Sequence, residues 1–160
     1  MLRKRIQCSL KLAVAGWGPE GCRLQKLASE LGLGRDVRFF GFVGKSELSE
    51  LYSMADAFVL ASYSEGSPSV LFEAMACGCV CIATDVGDVS RVIQHGRNGF
   101  VVSPGDPQIL VETLDCVLRF SEEQTRSVQY EARRTIVENY DIRELSSRMI
   151  QEVTSRVHAR

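Results

Sequence analysis

Glu65 and Glu73 bracket the run Gly66-Ser67-Pro68-Ser69-Val70-Leu71-Phe72, and this segment holds the residue types best suited to chemistry. A carboxylate accepts two hydroxyl hydrogen bonds strongly, which is what a sugar diol or a ribose offers. Ser67 before Pro68 reads as an N-cap followed by the first helical residue, leaving the N–H groups of Ser69, Val70 and Leu71 without intrahelical partners. Such a helix start is an anion site and suits a diphosphate. Glu65 in the loop and Glu73 about one to two turns inside the helix would flank it, with neither carboxylate touching phosphate. On spacing alone, a solvated loop glutamate and a surface helix glutamate with a local partner fit as well, so both readings stay open here.

The elements that must position these groups follow from the apolar pattern. Short runs rich in Val, Ile and Phe at residues 10–15, 37–42, 57–61, 80–83 and 100–102 read as buried strands. Helical spacing separates them: Cys22, Leu24, Leu27, Ala28 and Leu31 lie near one face over 19–31, and Leu48, Leu51, Tyr52 and Ala55 do so over 46–55. Asp106 before Pro107 is a capped helix start, for a helix running to about residue 120. Beyond Ser121 the chain is charge-rich, and two helices are expected over 122–138 and 142–157. Near-continuous apolar strands alternating with helices imply an α/β, Rossmann-like parallel sheet with helices on both faces. The loop that follows the strand at 57–61 then sits at the carboxyl end of a parallel strand, where open α/β sheets bind ligands. No linker or repeat divides the chain, so a single domain over 1–160 is expected, with 1–9 as a leader.

Composition excludes other classes. Apolar residues are 45% and charged residues 24%, ordinary for a globular domain, and the net charge of -1 favours neither nucleic acid nor an anionic membrane. Arg3-Lys4-Arg5 is too short a cluster to define a binding patch. The cysteines at 8, 22, 77, 79, 81 and 116 do not form a disulfide framework and are read as reduced. Cys77, Cys79 and Cys81 alternate as strand residues do, with no second ligand pair following, so they are buried small apolar residues and no metal site is expected. No run reaches the roughly 20 apolar residues of a membrane span, and a cytoplasmic protein is expected, with peripheral attachment at the inner membrane face as the other placement.

Gly16-Trp17-Gly18-Pro19-Glu20-Gly21 matches the G-x-G-x-x-G pattern after a predicted strand, which raises a nicotinamide-dependent dehydrogenase. Its context fails twice. Glu20 would put a carboxylate where pyrophosphate meets a helix, and no acidic residue ends the next strand to hold a ribose, since Asp36 precedes it. The glycines are better taken as a tight strand-to-helix turn, with Gly16 and Gly18 candidates to lie near a ligand.

The E-x7-E spacing of Glu65 and Glu73, inside Ser62-Tyr63-Ser64-Glu65-Gly66-Ser67-Pro68-Ser69-Val70-Leu71-Phe72-Glu73-Ala74-Met75-Ala76-Cys77-Gly78, resembles the signature of glycosyltransferase family 4, of GT-B fold. Other segments resemble the family in order: Leu12-Ala13-Val14-Ala15-Gly16-Trp17-Gly18-Pro19, Val37-Arg38-Phe39-Phe40-Gly41-Phe42-Val43, Tyr52-Ser53-Met54-Ala55-Asp56-Ala57 and Gly96-Arg97-Asn98-Gly99-Phe100. The resemblance implies a retaining transfer of a hexose from a UDP- or GDP-linked sugar to a glycan, lipid or other acceptor, without cofactor or divalent metal. It implies that Glu73 holds the ribose hydroxyls, and that Glu65, the candidate catalytic residue, holds hydroxyls of the transferred sugar. Gly66 and Ser67 would meet the sugar through backbone, Ser69, Val70 and Leu71 would cradle the diphosphate, and Gly41, Phe42 and Val43 would border the base.

This sequence departs from the family in two places. The arginine and lysine that the family carries after the first strand of this domain are not matched, and neither is that strand or the acceptor-binding N-terminal domain. An acceptor-binding N-terminal domain or partner chain, or self-association, is therefore expected to cover the sheet edge left open. Asp88-Val89-Ser90-Arg91 has arginine where the family usually has glutamate. The alternative function is a truncated nucleotide-sugar-binding module, inactive without an N-terminal partner.

Overall fold

The structure is a computed structural model that describes residues 10–140. The leader, Arg3-Lys4-Arg5 and the helix expected over 142–157 lie outside the described residues. Every ladder between strands is parallel and helices connect the strands, so the class is the expected α/β, Rossmann-like one. The expected single sheet is, among the described residues, two sheets, and the chain divides into two compact units, 1–55 and 56–160.

The first unit holds β1 (Leu12–Ala15), α1 (Gly21–Glu30), β2 (Val37–Gly41) and α2 (Lys45–Met54). β1 pairs with β2 in register from Leu12 opposite Val37, and the register slips between Val14 and Ala15 so that Ala15 faces Gly41. The expectation of a buried first strand is not met: Leu12 is 52% exposed, and among the described residues of this unit only Ala28 and Tyr52 of the apolar ones are buried. The physical reason is the layering: strand side chains project to the two faces of the sheet, and among the described residues no helix packs closely on β1.

The second unit holds β3 (Phe58–Leu60), α3 (Ser69–Ala76), β4 (Cys81–Thr84), α4 (Val89–Val92), β5 (Phe100–Val102), α5 (Pro107–Val117) and α6 (Glu122–Asn139). β4 lies between β3 and β5 and is buried throughout, as its continuous apolar run predicts. Val80, Ile82, Phe100, Val102, Val117 and Val128 form the core, with Leu110 and Leu114 of α5 packed against it. Leu71, Ala74 and Met75 turn the inner face of α3 inward, and α3 packs on α6. Asp106 caps α5 as its sequence predicts, its Oδ1 accepting from the N–H groups of Gln108 at 3.0 Å and Ile109 at 3.1 Å. The short helix α4 was not anticipated, because its four residues are too few to show a period.

Candidate functional site

The loop between β3 and α3 carries the predicted donor-site residues. Glu65 is half-buried, and its Oε1 accepts a hydrogen bond from Ser62 Oγ at 2.7 Å. Thr84, at the end of β4 and only 4% exposed, donates its hydroxyl to the Ser62 carbonyl at 2.6 Å. On the far side of the loop, Gly87 has a φ of +56°, and a Cβ there would overlap the carbonyl oxygens of Glu65 and Gly66. The next residue, Asp88, donates its N–H to the Gly66 carbonyl at 3.1 Å. The turn after β4 therefore seats the backbone of the loop at Glu65 and Gly66.

The start of α3 differs in detail from the sequence expectation. The N-cap position is Pro68, with no side-chain cap, and the helix begins at Ser69, whereas Ser67 was expected to cap it. Leu71 was expected to offer a free N–H, but it donates to the Pro68 carbonyl at 3.0 Å, closing a tight first turn. Proline carries no N–H of its own, so a start shifted one residue onward leaves the N–H groups of Ser69 and Val70 as the unpaired donors among the described residues. Ser69 is exposed and Val70 half-buried. Glu73 is exposed on α3, and among the described residues its carboxylate has no ion-pair partner. Segment 61–76 contains no lysine or arginine.

Arg91, where the family resemblance expects glutamate, is paired with Asp88 at 3.0 Å across one turn of α4. Asn98 of the matched turn is buried and serves structure: its Oδ1 accepts from the Gln94 N–H at 2.7 Å and its Nδ2 donates to the Val92 carbonyl at 3.0 Å. Cys79 and Cys81 are buried free thiols, in keeping with the small-apolar reading. Burial pushes the Cys79 thiol up to about 12, with Cys77 a smaller cause, and raises Cys81 as well.

In the first unit, Gly16 and Gly41 come together: the Gly16 N–H donates to the Gly41 carbonyl at 2.7 Å. Both have positive φ, +119° and +66°, which accounts for glycine at these two positions. Gly18 accepts from the Gly21 N–H at 3.0 Å in the turn that opens α1, the tight strand-to-helix turn expected. Beyond Gly41, Phe42 is 82% exposed and Val43 half-buried.

Sequence reasoning assigned no role to Ser62, Thr84 or Gly87. A hydroxyl three residues before Glu65 was the available signal for the first. Thr84 and Gly87 gave none, because their contacts arise across β4.

The family model described as "Glycosyl transferases group 1" matches residues 1–135. The chain is 36% identical over 130 residues to N-acetyl-alpha-D-glucosaminyl L-malate synthase of Bacillus anthracis, covering 81% of this chain and 33% of that protein. Among solved structures, sucrose-phosphate synthase from Thermosynechococcus elongatus superposes with a TM-score of 0.83 at 26% identity, covering 94% of this chain and 39% of that one. Anabaena HepE in complex with UDP-glucose superposes with a TM-score of 0.84 at 22% identity, covering 96% and 43%, a likeness of fold. The chain thus spans about a third of the length of that Bacillus relative.

Proposed function

Because the chain belongs to the family of glycosyl transferases group 1, matched over residues 1–135, we propose that it is the donor-binding half of a retaining glycosyltransferase of family 4. It takes a hexose from a UDP- or GDP-linked sugar and passes it to a glycan, lipid or other acceptor. One observation carries this reading: a single loop and helix present the half-buried Glu65, the unpaired N–H groups of Ser69 and Val70, and the exposed Glu73.

In this reading Glu73 receives the ribose hydroxyls and Glu65 those of the sugar, with Gly66 and Ser67 offering backbone. Ser69 and Val70 hold the diphosphate, while Leu71 contributes packing, since its N–H is engaged. Within the first unit, Gly16 sets the turn beside Gly41. The barrier is departure of the diphosphate from an oxocarbenium-like carbon, so the helix N–H groups act by stabilising charge that grows as the bond breaks. No divalent metal or cofactor takes part. HepE, whose complex contains UDP-glucose, supports the donor class.

Segment 61–76 has no cation to share the charge of the leaving group. The proposal assigns that cation, together with acceptor binding, to an N-terminal domain or partner chain. Leu12, Trp17, Phe42 and Met54, all exposed in the first unit, support a covering surface there, supplied by that partner or by a second copy. The same observations favour a second reading, a nucleotide-sugar-binding module that transfers nothing until the partner joins. Both place the protein on the cytoplasmic side, as a free or peripheral membrane protein.

Calorimetric titration with UDP, GDP, ADP and NAD, repeated on Glu73→Ala, tests the reading. One nucleoside diphosphate is expected to bind, and Glu73→Ala to weaken it at least about tenfold, or about 1.4 kcal/mol. Binding of NAD in preference to all three diphosphates, or no binding at all, sinks it.

A further inference from the structure

We propose that Ser62 is a positioning residue, whose hydroxyl holds the Glu65 carboxylate in the orientation that receives the transferred sugar. The inference rests on the reading above that Glu65 faces that sugar. Ser62 itself touches no substrate.

The geometry forms a relay from the core to the site. Thr84 is buried at the end of the central strand β4, and its hydroxyl holds the Ser62 carbonyl at 2.6 Å. The Leu60 carbonyl stands farther off, at 3.3 Å, so the one hydroxyl proton goes to Ser62. With its backbone held, Ser62 turns Oγ onto Glu65 Oε1 at 2.7 Å, a short bond to a charged acceptor. Gly87 and the Asp88 N–H close on the Glu65 and Gly66 backbone from the other side. Backbone and side chain of Glu65 are thus fixed by different contacts, and Ser62 supplies the one that fixes the side chain.

A glutamate otherwise has several freely rotating torsions, and ordering them on binding would weaken the sugar complex. A hydroxyl that orders them beforehand favours the sugar alone. The diphosphate and ribose are held elsewhere, at Ser69, Val70 and Glu73, so Ser62 should separate the affinity for a sugar nucleotide from that for the nucleotide.

The test is calorimetric titration of the full chain and of Ser62→Ala, Ser62→Thr, Glu65→Ala and the Ser62→Ala, Glu65→Ala double variant with UDP and UDP-glucose, and with GDP and GDP-mannose as the alternative pair. Ser62→Ala is expected to weaken the sugar nucleotide about tenfold and to leave the nucleoside diphosphate within about twofold. Ser62→Thr, which keeps the hydroxyl, is expected to restore binding, and Ser62→Ala should add nothing in the Glu65→Ala background, which removes the acceptor. Equal weakening of both ligands, or an unchanged sugar nucleotide, overturns the inference while the donor site stands. A parent chain that binds neither pair overturns the donor site, and this inference with it.

Discussion

Asn98, in the turn that leads into β5, donates from Nδ2 to Thr135 Oγ1 on α6 at 3.0 Å. With its bonds to Val92 and Gln94, the buried amide joins the end of α4, the turn and α6, and no buried side-chain polar atom among the described residues is left unpaired. The glycine-asparagine turn of the family pattern is therefore a structural joint of the second unit.

Asn98→Ala is expected to destabilise the second unit by about 1–3 kcal/mol, since it strands the carbonyl of the buried Val92 and takes the acceptor from the Gln94 N–H. Urea unfolding followed by circular dichroism measures this. A loss under about 0.5 kcal/mol would show that water replaces the amide at little cost.

Two glycines with similar backbone angles should respond differently to alanine. Gly87 and Gly96 have φ of +56° and +79°, but only at Gly87 would a Cβ meet other atoms, the carbonyls of Glu65 and Gly66. Gly96→Ala should cost about 1 kcal/mol for the left-handed backbone alone. Gly87→Ala should cost about twice as much and also weaken sugar-nucleotide binding at least tenfold, because it displaces the loop that carries Glu65. Unfolding curves and calorimetry on the same two variants separate these effects.

Alkaline pH should weaken the fold through the buried thiols. The Cys79 thiol is held near 12 in the folded chain against an ordinary value of 9.0, so its contribution to stability is intact below about pH 9 and is lost as pH rises toward 12. At pH 10 the loss from Cys79 is on the order of 1 kcal/mol, with Cys81 acting in the same direction. Urea midpoints at pH 8 and pH 10 should show the fall, and Cys79→Ala should reduce it.

The exposed apolar surface of the first unit predicts behaviour in solution. Alone, the 17.8 kDa chain is expected to sediment above its monomer mass, and Leu12→Lys with Phe42→Ser to return it to monomer. A parent chain that stays monomeric at all concentrations would rule out self-association and assign that surface to a separate polypeptide.

Alternating apolar runs and helical periods in the sequence determined the α/β class, the parallel ladders and most helix bounds, because each depends on residues a few positions apart. Asp106-Pro107 determined the start of α5 for the same reason, since a cap needs only its own first turn. Glu65 and Glu73 could be singled out by spacing and by family pattern. Their surroundings were not legible. The bond from Thr84 to Ser62 spans 22 positions, and the seat of Gly87 on Gly66 exists only because β4 runs beside β3. Tertiary structure likewise decided that β1 would be exposed while β4 is buried, although both are short apolar runs, because burial depends on which helices cover the faces of the sheet, as α3 and α5 cover β4, and a strand's own composition cannot encode that.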